Sequence, residues 1–152
     1  MRAIRRRDAR RGQRGAALVE FALCAGLLLL ILFGLIEMGL LLGDAATLGQ
    51  AAREAARSLA VGSAPSVAAN RAISSANGLP LTGANVVLEK SHPDGSGNPT
   101  AWAVVGASGS NNDAVTGDFV RATVTYNHPL ITSLVFAGGT KTLTESLTMR
   151  RE

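Results

Sequence analysis

Residues 16–36 form an apolar run broken only by Glu20, and this run limits the chain to very few architectures. At about 1.5 Å per residue, a helix over this stretch reaches roughly 31 Å, enough to cross the hydrocarbon core of a bilayer. A cleaved secretory signal has an apolar core of only about 7–15 residues. The nearest small residues beyond the run, at 43–46, make a poor cleavage site of the A-x-A kind. The segment is therefore expected to anchor the chain and stay attached.

Its flanks set the orientation. Residues 1–14 hold seven arginines against Asp8 alone, a local charge of +6 in a chain whose total is +4, so the remainder carries −2. The high isoelectric point thus belongs to a short tail, and nucleic-acid binding by the folded part is not expected. Beyond the run, Asp44, Arg53, Glu54 and Arg57 nearly cancel. The positive-inside rule then predicts a single-pass protein of the cytoplasmic membrane, N-terminus in the cytoplasm and C-terminal domain outside. The single cysteine, Cys24, lies inside the apolar run and excludes an intramolecular disulfide.

Past the run, Ala45, Leu48, Ala52, Ala55 and Leu59 recur at steps of three and four, opposite Gln50, Arg53 and Arg57. That spacing predicts an amphipathic helix. Its alanine stripe is a weak apolar face, suited to close approach by another element. Gly62, Ser63 and Pro65 end it, and a short second helix over 65–77 is predicted to start with proline and stop at Gly78. The period then changes to two, with strands expected over 85–89, 101–105, 119–126 and 142–149 and turn-rich loops over 92–100 and 107–117. In the third strand Val120, Ala122, Val124 and Tyr126 alternate with Arg121, Thr123 and Thr125, the pattern of a sheet with one buried face. The expected fold class is α+β. A long N-terminal helix, half transmembrane and half amphipathic, packs on a small, mostly antiparallel sheet of about four strands. The expected organisation is a basic leader over 1–15, a transmembrane helix over 16–43, an amphipathic helical region over 44–77 and an extracytoplasmic β domain over 78–152.

The junction Arg14-Gly15-Ala16-Ala17-Leu18-Val19-Glu20-Phe21 joins the tail to the membrane segment. A glycine ends the basic region, an apolar run follows, and an acid stands at the fifth position past the glycine. This resembles the type IV prepilin processing site, where a membrane-embedded aspartyl prepilin peptidase cuts after the glycine. The resemblance implies that Gly15 precedes the cut, Ala16 becomes the new N-terminus, and Glu20 and Phe21 serve assembly and recognition. Glycine lets the backbone approach a protease closely, and a cut there removes all seven flanking arginines. An ionised acid inside a membrane helix costs about 2.5–3.5 kcal/mol on insertion scales, so Glu20 seeks a partner or the headgroups. Similarity to pilins implies the new amine of Ala16 on a neighbouring subunit; snorkelling to the cytoplasmic interface is the other reading.

A wider match gives the resemblance its specificity. The stretches 15–23, 33–39 and 50–57 resemble the TadE-like family along its N-terminal region, and residues 148–152 are similar to endings found there. The resemblance implies a pilin-like fold and a minor pseudopilin of the tight adherence system that builds Flp-type pili. Implied partners are the prepilin peptidase, other pilin or pseudopilin subunits, the inner-membrane assembly machinery and the lipid bilayer. Glu37, Gly39 and Gly43 are candidate helix-packing residues, Gly39 and Gly43 fitting one small-x-x-x-small step. For Glu37 a helix-end acid exposed to headgroups and water is the favoured reading.

Catalytic chemistry is not expected. His92 and His128 both precede prolines in expected loops and lack a serine or cysteine nucleophile motif. Residues 95–97 and 106–110 are glycine-rich but lack the lysine and helix of a phosphate loop. Asp94, Ser96 and Asn98 have the alternate spacing of a calcium loop, yet Pro99 and Val105 stand where glycine and glutamate are needed. No cofactor or metal is expected. The alternative to a pseudopilin is an unprocessed, signal-anchored extracytoplasmic binding or scaffold protein.

Overall fold

The computed structural model describes residues 5–106, 111–131 and 139–152, with side chains described from Gly15 onward. The tail arginines and most of the glycine-rich stretch 106–110 therefore lie outside the described side chains. One continuous helix, α1 (Arg5–Ala60), carries both the apolar run and the alanine stripe. Gly62, with φ at +87°, ends it in the left-handed conformation that glycine alone adopts without strain. A short α2 (Pro65–Ser75) follows, opened by its proline.

A four-stranded antiparallel sheet covers one face of the outer half of α1. Its strands are β1 (Val86–Ser91), β2 (Ala103–Val104), β3 (Phe119–Pro129) and β4 (Thr140–Arg150), in the order β2-β1-β3-β4. The second strand is shorter than its expected range, and the last two are longer, β3 running on to Pro129 and β4 from Thr140 to Arg150. β3 spans about 36 Å at some 3.3 Å per residue, close to the roughly 35 Å of helix between Glu37 and Ala60. It therefore runs the whole outer length of α1, with Phe119 near the distal end and Pro129 near Glu37.

The core forms where the two periodicities meet. Leu48, Ala51, Ala52, Ala55, Ala56 and Leu59 of α1 are buried against Val120, Ala122 and Val124 of β3 and Leu88 of β1. Ala68, Ala72 and Ala76 bring α2 onto the same cluster. Small side chains on the helices allow close approach, and larger aliphatic ones on the sheet fill the space between them. In contrast, Leu18 through Leu42 carry a long series of exposed leucines, isoleucines and phenylalanines. This is the segment long and apolar enough to cross a membrane.

The distal end of α1 is held by two separate segments. Asn112 donates from Nδ2 to the carbonyl of Leu59 in the last turn of α1 and to that of Ser63 just beyond it, each at 3.0 Å. The amide of Glu152 donates to the carbonyl of Ala60 at 3.3 Å. Asp113 ties the adjoining loop to the sheet: it accepts from the Gly106 amide at 2.8 Å and pairs with Lys90 Nζ at 2.9 Å. These bonds, the Gly106 amide first and Lys90 next, hold the Asp113 carboxyl down at about 2 from the ordinary 3.8.

A depressed carboxylate stabilises the fold above its unfolded pKa and loses that contribution as pH falls through the folded one. Acid titration of the wild type in micelles should therefore show a stability loss between about pH 4 and pH 2 that is smaller in Asp113→Asn, by urea unfolding. Separately, Ser58 Oγ is buried with no hydrogen-bond partner among the described residues. Ser58→Ala should raise unfolding free energy by up to about 1 kcal/mol, removing an unsatisfied hydroxyl from a helix interior.

Candidate functional site

The processing-type junction stands clear of the folded domain. Gly15, Ala16, Glu20 and Phe21 all lie on α1 and are exposed, Phe21 to 71%. A Cβ built at Gly15 meets nothing within 4 Å, and its φ is not positive. The chain's own packing therefore gives no reason for glycine there. Gly39 and Gly43 are equally open, with nothing within 4 Å of an added Cβ. Cys24 is exposed on the same apolar surface.

Glu37 departs from expectation. Its place near the end of the apolar run predicts an acid facing headgroups and water; the structure leaves it 1% exposed. The end of β3 nearest it folds over it, and its carboxylate is engaged within its own chain. The amide of Ile131 donates to both of its oxygens, at 3.2 and 3.1 Å. His128, expected in a loop, instead lies in β3 and is buried, with Nε2 3.6 Å from Glu37 Oε1. On its other side His128 Nδ1 lies 2.6 Å from Asp44 Oδ2, and the Tyr126 ring meets the imidazole edge-on at 6.5 Å.

The result is a carboxylate–imidazole–carboxylate cluster pinning the sheet to the helix. With a neutral imidazole only the Asp44 contact attracts; with an imidazolium both do, because each ring nitrogen then carries a proton toward an acid. The helix supplies its two acids at positions seven apart, two turns along one face. Residues 37, 44, 51 and 58 continue that column, and Glu37, Ala51 and Ser58 are all buried. This heptad step is the signal in the sequence that points to the cluster. The apolar stripe read from spacing begins only at Ala45, and no spacing indicates that His128 comes from 84 residues away.

The other expected candidates are occupied locally. His92 Nδ1 sits 2.6 Å from the buried Asp118, whose second oxygen accepts from the Val115 amide, while the ring itself is largely exposed. Asp94 accepts from the amides of Ser96 and Asn98, so it closes a tight turn. On the outer sheet face Arg121 pairs with Glu89 at 2.6 Å and lies over the Trp102 ring. Among the described residues no group of three or more histidine, cysteine or acidic side chains is arranged to hold a metal ion.

A helix able to cross a membrane, continuing without a break into the core of a small antiparallel sheet, defines a helix-anchored α+β protein. Residues 15–57 match the family model described as TadE-like protein, so over that stretch the chain is similar to TadE-like proteins. No curated protein and no solved structure matches the chain.

Removing the imidazole should expose the worth of the cluster. His128→Ala leaves two helix acids without their shared partner and should lower the unfolding free energy of the outer domain by about 3 kcal/mol. A double-mutant cycle with Asp44→Asn, followed by urea unfolding in micelles, should give a coupling of about 1 kcal/mol or more.

Proposed function

We propose that this protein is a minor pseudopilin of a tight adherence, Flp-type pilus system, processed by a prepilin peptidase and acting through helix packing. The observation that carries this reading is where the family match begins: it opens on Gly15, the residue that ends the basic tail, and runs along α1 to Arg57. The openness of Gly15 supports it, since nothing inside the fold requires a glycine there.

In this reading the peptidase cuts between Gly15 and Ala16, detaching the arginine-rich leader. The anchored helix then lacks the charges that hold it against the anionic cytoplasmic leaflet. Glu20, exposed on the apolar surface, takes the freed α-amine of Ala16 on a neighbouring subunit as its partner, and Phe21 packs beside it. The open faces of Gly39 and Gly43 let a neighbouring helix come close. The sheet domain stays outside the cytoplasmic membrane and is displayed on the assembly. The chain's role is structural, with pilin or pseudopilin subunits, the assembly machinery and the bilayer as its partners.

The deciding measurement is the mature N-terminus. Mass spectrometry of the protein from membranes containing an active prepilin peptidase should find Ala16 first, and Gly15→Leu should accumulate the full-length chain. Glu20→Ala should still be cut, yet fail to co-purify with pilus subunits. Recovery of uncut wild-type chain alone, with function intact in both variants, would instead identify an unprocessed anchored scaffold.

A further inference from the structure

An apolar surface on α1 and an exposed apolar side chain just past β3 are fixed at one height of the molecule. On α1 the exposed apolar side chains do not stop at Glu37: Met38, Leu40 and Leu42 continue, Leu42 at 65% exposure. Across Glu37 from them stands Ile131, 69% exposed, with its amide held by the Glu37 carboxylate. Ile131 cannot leave that height without breaking these bonds. β3 is held at that height too, by the 2.6 Å contact of His128 Nδ1 with Asp44.

That height is the edge of the bilayer. A helix that enters the hydrocarbon core at Ala16 has used about 30 Å of it by residue 36. Glu37 then falls where acyl chains give way to headgroups. The fold covers it with the Ile131 amide and the His128 ring. Meanwhile the apolar surface extends about one and a half turns further, to Leu42, than a core of roughly 30 Å requires. A charge of the matching sign lies at this level too: Lys141 is exposed and is the register partner of His128 on β4. A lysine there can rest its stem on apolar surface and reach lipid phosphates.

We propose that the folded domain sits directly on the outer leaflet, with Ile131 and the 38–42 flank of α1 among the headgroups and upper acyl chains and Lys141 toward the phosphates. The occupant of this surface is the lipid interface, argued from its continuity with the spanning segment. The inference rests on the membrane-anchored reading above and goes beyond it, since a span alone leaves the domain free to stand off on a helical stalk.

Depth-resolved quenching tests it on the full chain. In a Cys24→Ser background, an environment-sensitive fluorophore is placed singly at Leu27→Cys, Leu42→Cys, Val61→Cys and Ile131→Cys, and each protein is reconstituted into phosphatidylcholine–phosphatidylglycerol vesicles. Quenchers are lipids brominated at shallow or deep acyl positions, and aqueous iodide. The expected pattern is loss of fluorescence at 27 to the deep lipid, at 131 and 42 to the shallow lipid, and at 61 to iodide alone. Iodide quenching at 131 and 42 equal to that at 61 would overturn the proposal while leaving the span intact. Shielding of 131 from both lipid and iodide would overturn it in favour of a second protein copy covering the patch. Iodide quenching at 27 would bring down the membrane reading itself. Should Ile131→Cys fail to fold, Leu42→Cys on the helix decides the question by the same readout.

Discussion

The grip of β3 on a single unbroken helix is the constraint on which the rest of this molecule depends. The last part of α1 packs one face into a protein core and residues 18–42 are bare apolar surface, yet there is no joint between them. Any orientation the helix takes in a membrane is therefore transmitted rigidly to the sheet. The grip is fastened at both ends: by Asn112 and Glu152 around Ala60, and by the Asp44–His128–Glu37 cluster near the start of the packed stretch. Between them the contact is apolar and close, because alanine on the helix keeps the sheet near the helix axis.

The two fastenings differ in chemistry for a physical reason. At the distal end the helix must satisfy carbonyls that have no intrahelical partner, and a side-chain amide and a backbone N–H do so. At the other end the helix continues, so no backbone group is open and the attachment must be made by side chains. Placing acids there is costly unless they are covered, which a buried imidazole and a strand-end amide accomplish. The same cluster thus joins the sheet to the helix and hides charge from an apolar surrounding.

Much of this was legible in the residues. The spanning run, the alanine stripe, the break at Gly62 and the alternation in β3 each reflect a local period that a short window of sequence exposes, and each element formed where that period lies. The site at Glu37 was not. An acid near the end of an apolar run has the same local context whether it faces water or a folded strand. Only the arrival of His128 and Ile131, from far along the chain, distinguishes the two.

By itself the sequence determined the helix, its two faces, its charge asymmetry and the strand alternation, because these depend on neighbours a few positions apart. The tertiary structure alone decided how far along the helix the sheet reaches, and with that the fate of Glu37. That outcome follows from strand length and register, which bring β3 the full distance back to the membrane end of the outer helix. No local pattern encodes a contact made across 94 residues of chain.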